Sequence, residues 1–128
     1  GDVVYSLGRC LPGFVVKEFP DWNSIYSAAP NLPANVLRGI ARYAGVHLYN
    51  DRWDTLYATP ELLAVHTAAG GRRVFHLPRP AEIVYDLFER KVAAQRTDRF
   101  EMILPPASTS LFYTGALDKL RGLGVERA

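Results

Sequence analysis

Cysteine is almost missing from this chain: Cys10 is the single one among 128 residues. One thiol cannot form an internal disulfide, and it rules out zinc sites built from several cysteines. With no Cys/His pairing evident, Cys10 reads as a small, partly buried hydrophobe and not as a nucleophile. No apolar run approaches the roughly 20 residues of a membrane helix, so no membrane partner is expected. Charge of one sign is not in excess either. Fifteen basic residues face thirteen acidic ones, for a net charge of +2. The basic residues Arg72, Arg73, Arg79, Arg90, Lys91, Arg96 and Arg99 form neither a helix stripe nor an aromatic-basic motif. They read as solvated strand faces and turns, and nucleic acid is not an expected partner. Also lacking are a nucleophile elbow (G-x-S-x-G), a P-loop and a G-x-G-x-x-G turn. The N-terminus "GDVVYSLGRC" has no basic start followed by an apolar core, so no signal peptide is visible. A chain opening in this way suits a mid-protein start, and a lone cysteine is compatible with the cytoplasm.

What is present is a globular composition, 48% hydrophobic and 22% charged, long enough to bury one core. One helix is signalled, over residues 31–45 ("NLPANVLRGIARYAG"). Asn31 can cap it, and Pro33 suits its first turn. Leu32, Val36, Leu37, Ile40 and Ala44 share one face, and Gly45 can stop it in the left-handed conformation. Before it, "VVYSL", "FVVKEF" and "WNSIYSA" read as strands, the first two joined through "GRCLPG". After it come short aromatic and β-branched runs: "VHLYN", "TLYA", "LLAVHTA", "RRVFHL", "AEIVYDLFE", "KVAAQ", "RFEMIL" and "TSLFYTG". Gly70-Gly71 offers a two-residue hairpin turn. "LPRPAE" and "LPPAST" break pairing through their prolines. The fold expected is mainly β (α+β): an antiparallel β-sandwich of short strands with one amphipathic helix near residues 31–45. A single domain is expected, with strands and helix over 1–45, the sandwich core over 46–115 and a tail over 116–128. Leu117, Leu120 and Leu123 give that tail a short helical pattern that docks, meets a partner or frays.

The residues richest in chemistry lie in "YAGVHLYNDRWDTLYA". Asp51 and Asp54 are the closest acidic pair, but "YNDRWD" has the composition of a turn, where Asp and Asn bond their own backbone. Asn50, Asp51 and Asp54 supply oxygens for Ca²⁺, though at no standard spacing. His47, His66 and His76 would need the sheet to bring them together before they could hold zinc. Trp22 and Trp53, with Tyr43, Tyr49 and Tyr57, could stack on sugar rings, but filling a core or an interface is the commoner fate of aromatics. The residues set aside as ligand-binding candidates are Trp53, Asp51, Tyr49, His47 and Trp22. No catalytic residue, metal or cofactor is predicted.

Three stretches carry a resemblance: "SIYSAAPNLPANVLRGIARYAGVHLY", "LPRPAEIVYDLFE" and "STSLFYTG". With their flanks, residues 11–115, they resemble the C-terminal region of bacterial β-galactosidase-like glycoside hydrolases. The resemblance implies a parent with a catalytic (β/α)₈ barrel, a flavodoxin-like middle domain and a small terminal β-sandwich. It makes helix 31–45 the end of the middle region or its junction with the last. A barrel takes about 200 residues or more, so its acid and nucleophile have no counterpart here. The tail beyond Gly115 departs from the pattern. Three functions are therefore weighed. The first is a non-catalytic β module that packs on other domains or on a second copy. The second is a carbohydrate-binding module. The third is a small ligand-binding protein or enzyme with a pocket between helix and sheet, His47, Tyr49 and Asp51 near its mouth.

Overall fold

The structure is a computed structural model that describes residues 3–7 and 11–125; Cys10 and the first part of the turn expected over "GRCLPG" lie outside the described residues. It is mainly β, with two antiparallel sheets and two helices, as expected. The chain divides into two compact units, Gly1–Ile40 and Ala41–Ala128.

The first unit is a meander of β1 (Val3–Leu7), β2 (Leu11–Glu18) and β3 (Asn23–Ser27). Pro12 and Gly13, expected in a turn, lie inside β2, where Pro12 is paired with Ser6. The β2–β3 hairpin closes over Phe19–Trp22, with the Phe19 N–H donating to the Trp22 carbonyl at 2.9 Å. The Trp22 ring stacks on Phe19 at 4.2 Å, and Lys17 Nζ lies 4.7 Å from the Phe19 ring. Helix α1 (Ala34–Tyr43) crosses the boundary between the units and has no buried residue. Gly45 ends it as expected, at φ 70°. The Gly45 N–H donates to Arg42 O and the Val46 N–H to Ala41 O, a Schellman cap.

The second unit holds β4 (Thr55–Ala58), β5 (Leu62–Thr67), β6 (Gly71–Asp86), β7 (Lys91–Leu104) and β8 (Ser108–Gly115), ordered β4-β5-β8-β6-β7. Two runs expected as separate strands are joined in β6. The prolines of "LPRPAE" interrupt the ladder between His76 and Ala81 without ending the strand. β7 likewise joins "KVAAQ" to "RFEMIL". The turn between β6 and β7 is fixed by Asp86, buried, whose Oδ1 accepts the N–H groups of Phe88 and Glu89 at 3.0 Å each.

Gly70 and Gly71 do adopt positive φ, 65° and 90°, but they do not make a hairpin. β8 lies between β5 and β6, so the turn swings the chain across the sheet. A Cβ on Gly70 would come within 2.5 Å of the Pro106 nitrogen, which is why no side chain fits there.

The interruption at residues 77–80 lets β6 serve two layers. Its second half pairs with both β7 and β8, its first half with β7 alone. Yet Phe75, in that first half, lies 5.9 Å from Phe112 on β8. The far part of the β6–β7 hairpin therefore closes over the β5–β8 face, a sandwich-like arrangement within one bent sheet. Leu63, Val65, Phe75, Leu77, Val84, Phe100, Leu104 and Phe112 fill the space between. Residues 83, 85 and 113 alternate with 84 and 112, so they face the other way. There Ile83, Tyr85 and Tyr113 pack with Leu120 of helix α2 (Leu117–Gly122). The tail thus docks on the sheet.

Candidate functional site

The "VHLYN" run is not a strand. Val46–Asp54 is irregular and lies along the first half of β6. The His76 N–H donates to the Tyr49 carbonyl at 2.8 Å, and His47 Nε2 lies 2.7 Å from the His76 carbonyl. The His47 ring stands edge-on to Tyr49 at 4.8 Å. So β6 uses one residue to anchor two of the candidates. Asp51 is exposed and paired with Arg42. Trp53 projects outward, 72% exposed. Asp51, Arg52, Arg72, Val74 and His76 line an open groove of about 310 Å³. Trp22 belongs to the other unit, at the tip of the β2–β3 hairpin.

Asp54 does something the sequence reading missed. Its carboxylate takes both arms of Arg73, from Nε at 2.6 Å and Nη2 at 3.0 Å. Both side chains are buried, 8% and 3% exposed for Arg73 and Asp54. Asn50 donates to Asp54 at 2.9 Å. Arg73 also donates to the Gly70 carbonyl at 2.7 Å and to the Thr67 hydroxyl at 2.8 Å. Burial pushes the Asp54 carboxyl up, but hydrogen bonds from Arg73, Thr67 and Asn50 and the charge of Arg73 hold it below its usual range. Arg73 is therefore no solvated strand residue, and Asn50 and Asp54 are not free oxygens for calcium. The signal was available: Arg73, Phe75 and Leu77 share one parity of β6, and all three are buried.

The three histidines do not assemble. His66 Nδ1 bonds the Thr109 hydroxyl at 2.9 Å, and His47 engages a backbone carbonyl. Among the described residues no three His, Cys, Asp or Glu side chains converge as a metal site. The aromatics expected to fill a core or an interface are mostly outside the core. Trp22, Tyr43, Trp53 and Tyr57 are exposed, while Phe75, Phe100, Phe112, Tyr85 and Tyr113 are buried.

A cleft absent from the sequence reading opens at the bend of β6. It holds about 280 Å³ and is walled by Thr59–Glu61 of the β4–β5 turn, Leu77–Pro80 and Glu82 of β6, and Thr114–Ala116 at the end of β8, with Tyr49 at one side. Arg79 ties two walls together by donating to the Pro60 carbonyl at 3.2 Å. Glu61 is held by Lys119 of α2, and Glu82 Oε2 accepts the Leu117 N–H at 2.9 Å. The Tyr113 phenol passes under Gly115, where a Cβ would sit 2.6 Å from its hydroxyl. Burial pushes that phenol up, and the charges of Glu61 and Glu82 add to the shift. Helix α1 lines neither the groove nor the cleft. Among the described residues no helix is long and apolar enough to cross a membrane.

No family model matches the chain, and no curated protein or solved structure matches it either.

Proposed function

We propose that the chain is a non-catalytic accessory module that works by packing against neighbouring domains or a second copy of itself. The sequence resemblance to the post-barrel region of β-galactosidase-like proteins motivates this reading. One observation carries it. Among residues with described side chains, the first unit buries a single large apolar side chain, Phe14, while Trp22 and Tyr26 are 55% and 60% exposed. A three-stranded sheet of short strands needs an apolar face covered before it is stable. A module with such a surface gains by associating. Sedimentation velocity across a concentration series is expected to show self-association, and ANS fluorescence to rise on the free protein. A strict monomer that binds no ANS would overturn the proposal.

A second reading, carbohydrate binding, is favoured by the exposure of Trp53 beside the polar side chains of Asp51 and Arg52. Aromatic faces with adjacent polar groups suit sugar rings, which are apolar on one side and hydroxylated at the edge. Titration with galactosides and plant polysaccharides is expected to change tryptophan fluorescence, and Trp53→Ala to abolish the change. Silence across a broad glycan panel removes this reading.

A further inference from the structure

We propose that β7 forms a two-fold interface with a second copy of this chain, edge to edge, in the register that sets Met102 against Met102. The proposal rests on the reading that the chain associates, but it places the contact on a strand edge of the second unit, not on the first unit. β7 ends the five-stranded sheet and pairs with β6 alone. Where their hairpin closes over the β5–β8 face it is only two strands wide, fewer than a sheet needs to be stable by itself. Successive residues of a strand turn their N–H and C=O to opposite sides. The His76 N–H donates to the Tyr49 carbonyl, away from β7. His76 is paired with Arg99, Val74 with Glu101 and Arg72 with Ile103, with no shift of register between them. Arg99, Glu101 and Ile103 therefore point their backbone groups away from β6. Those of Arg99 are taken by Thr97, whose Oγ1 accepts the Arg99 N–H at 3.0 Å and donates to its carbonyl at 2.7 Å. This bridge and the positive φ of Arg96, 50°, blunt the edge before residue 100. Beyond it the edge is open: among the described residues, the N–H and C=O of Glu101 and Ile103 have no hydrogen-bond partner.

Four open groups on two residues fix the register. With Met102 opposite Met102, Glu101 of each chain exchanges both bonds with Ile103 of the other, and all four groups are satisfied. Pairing centred on Glu101 sets two carboxylates against each other and brings Ile103 to Arg99, whose groups are already taken. Pairing centred on Ile103 brings Glu101 to Pro105, which has no N–H and whose carbonyl already accepts the Ser108 hydroxyl at 2.6 Å. The side chains agree on both faces. On the inner face Phe100 and Leu104 are buried and Met102 between them only half-buried, so a second Met102 continues the core across the axis. On the outer face Ile103 is 79% exposed. Glu101 of the second copy would lie over it without bringing an unpaired charge, because both arms of Arg72 already hold that carboxylate.

One short strand pair lies at the weak end of interfaces, which bury roughly 1,200–2,000 Å² when stable, so a covalent trap reads it best. The full chain is used, with Cys10→Ser to remove the native thiol. Met102→Cys is expected to give a disulfide-linked dimer as the main product of mild oxidation at about 0.1 mM chain. Opposed residues of a non-hydrogen-bonded pair lie about 4.5 Å apart at Cα, within disulfide reach. Thr55→Cys, exposed on the strand at the other end of the sheet, should stay monomeric. Ile103→Pro removes an outward N–H and leaves the ladder to β6 intact, and it should weaken the association seen by sedimentation at least about ten-fold. If it melts early, Ile103→Lys carries the comparison. No dimer from Met102→Cys, or as much from Thr55→Cys, would overturn the interface. So would self-association that both Ile103 variants leave unchanged, although the chain would then still be an associating module. A strict monomer removes both.

Discussion

Phe75→Ala is expected to destabilise the second unit by about 3–5 kcal/mol, the cost of deleting a fully buried aromatic ring. Phe75 lies 5.0 Å from Phe100 and 5.9 Å from Phe112, and these two are 5.2 Å apart. The three rings join β6, β7 and β8, so the cavity left behind would sit where the bent hairpin meets the rest of the sheet. Domains of this size are stable by about 5–15 kcal/mol. One ring is therefore a large fraction of the total. Urea unfolding followed by circular dichroism gives the number. A loss under about 1 kcal/mol would mean that the hairpin does not close over β8 as described.

Arg73→Met should be comparably severe, about 3–5 kcal/mol, for a different reason. It leaves the Asp54 carboxylate buried with Asn50 as its remaining side-chain amide donor, and it removes the donors to Thr67 and the Gly70 carbonyl. The loss comes more from the stranded charge than from the pair's own attraction. The double substitution Asp54→Leu with Arg73→Met should thus recover much of the stability. Acid supplies an independent check. Because the Asp54 carboxyl is held below its unfolded value, its contribution is present above the unfolded pKa. That contribution is lost as pH falls through the folded one, so stability declines below about pH 4. In Arg73→Met the sign reverses: burial without a cation raises the folded pKa, and acid neutralises the stranded carboxylate and relieves the strain. A variant that lost stability in acid as steeply as the parent would sink this account of Asp54.

Local chemistry made the helix and most strands readable. Pro33, the apolar spacing and Gly45 fix α1 through interactions a few residues long, and the structure agrees at the cap itself. Alternation in "RFEMIL" located one end of β7, with Phe100 and Leu104 buried and Glu101 and Ile103 exposed. What failed was whatever depends on neighbours far along the chain. "VHLYN" alternates like a strand, but only the bonds at His76 fix where it lies. Gly70-Gly71 has the chemistry of a hairpin turn, yet the strands it joins do not pair with each other: β5 lies between β4 and β8, and the start of β6 pairs with β7, some thirty residues on. The prolines at 78 and 80 were read as strand ends because they cannot donate to a ladder. A bulge accommodates them instead, and that bulge is what opens the cleft. Of the candidate residues, His47, Tyr49, Asp51 and Trp53 share one loop, and the structure brings the His47 and Tyr49 rings together while Trp53 projects outward. The Asp54–Arg73 pair was not legible, because nothing local tells an arginine in a strand that its counterion arrives from a loop nineteen residues earlier.

The middle strand of the larger sheet is the last to emerge from the ribosome. β4–β5 and β6–β7 can each pair locally as hairpins, but neither is joined to the other until Ser108–Gly115 slides between them. During synthesis the two halves must wait with open edges, the state in which β chains most easily find a wrong partner. Segment 108–115 is therefore the keystone of assembly. A peptide of that sequence, added to a chain cut before it, would be the natural reagent for watching the final step in isolation.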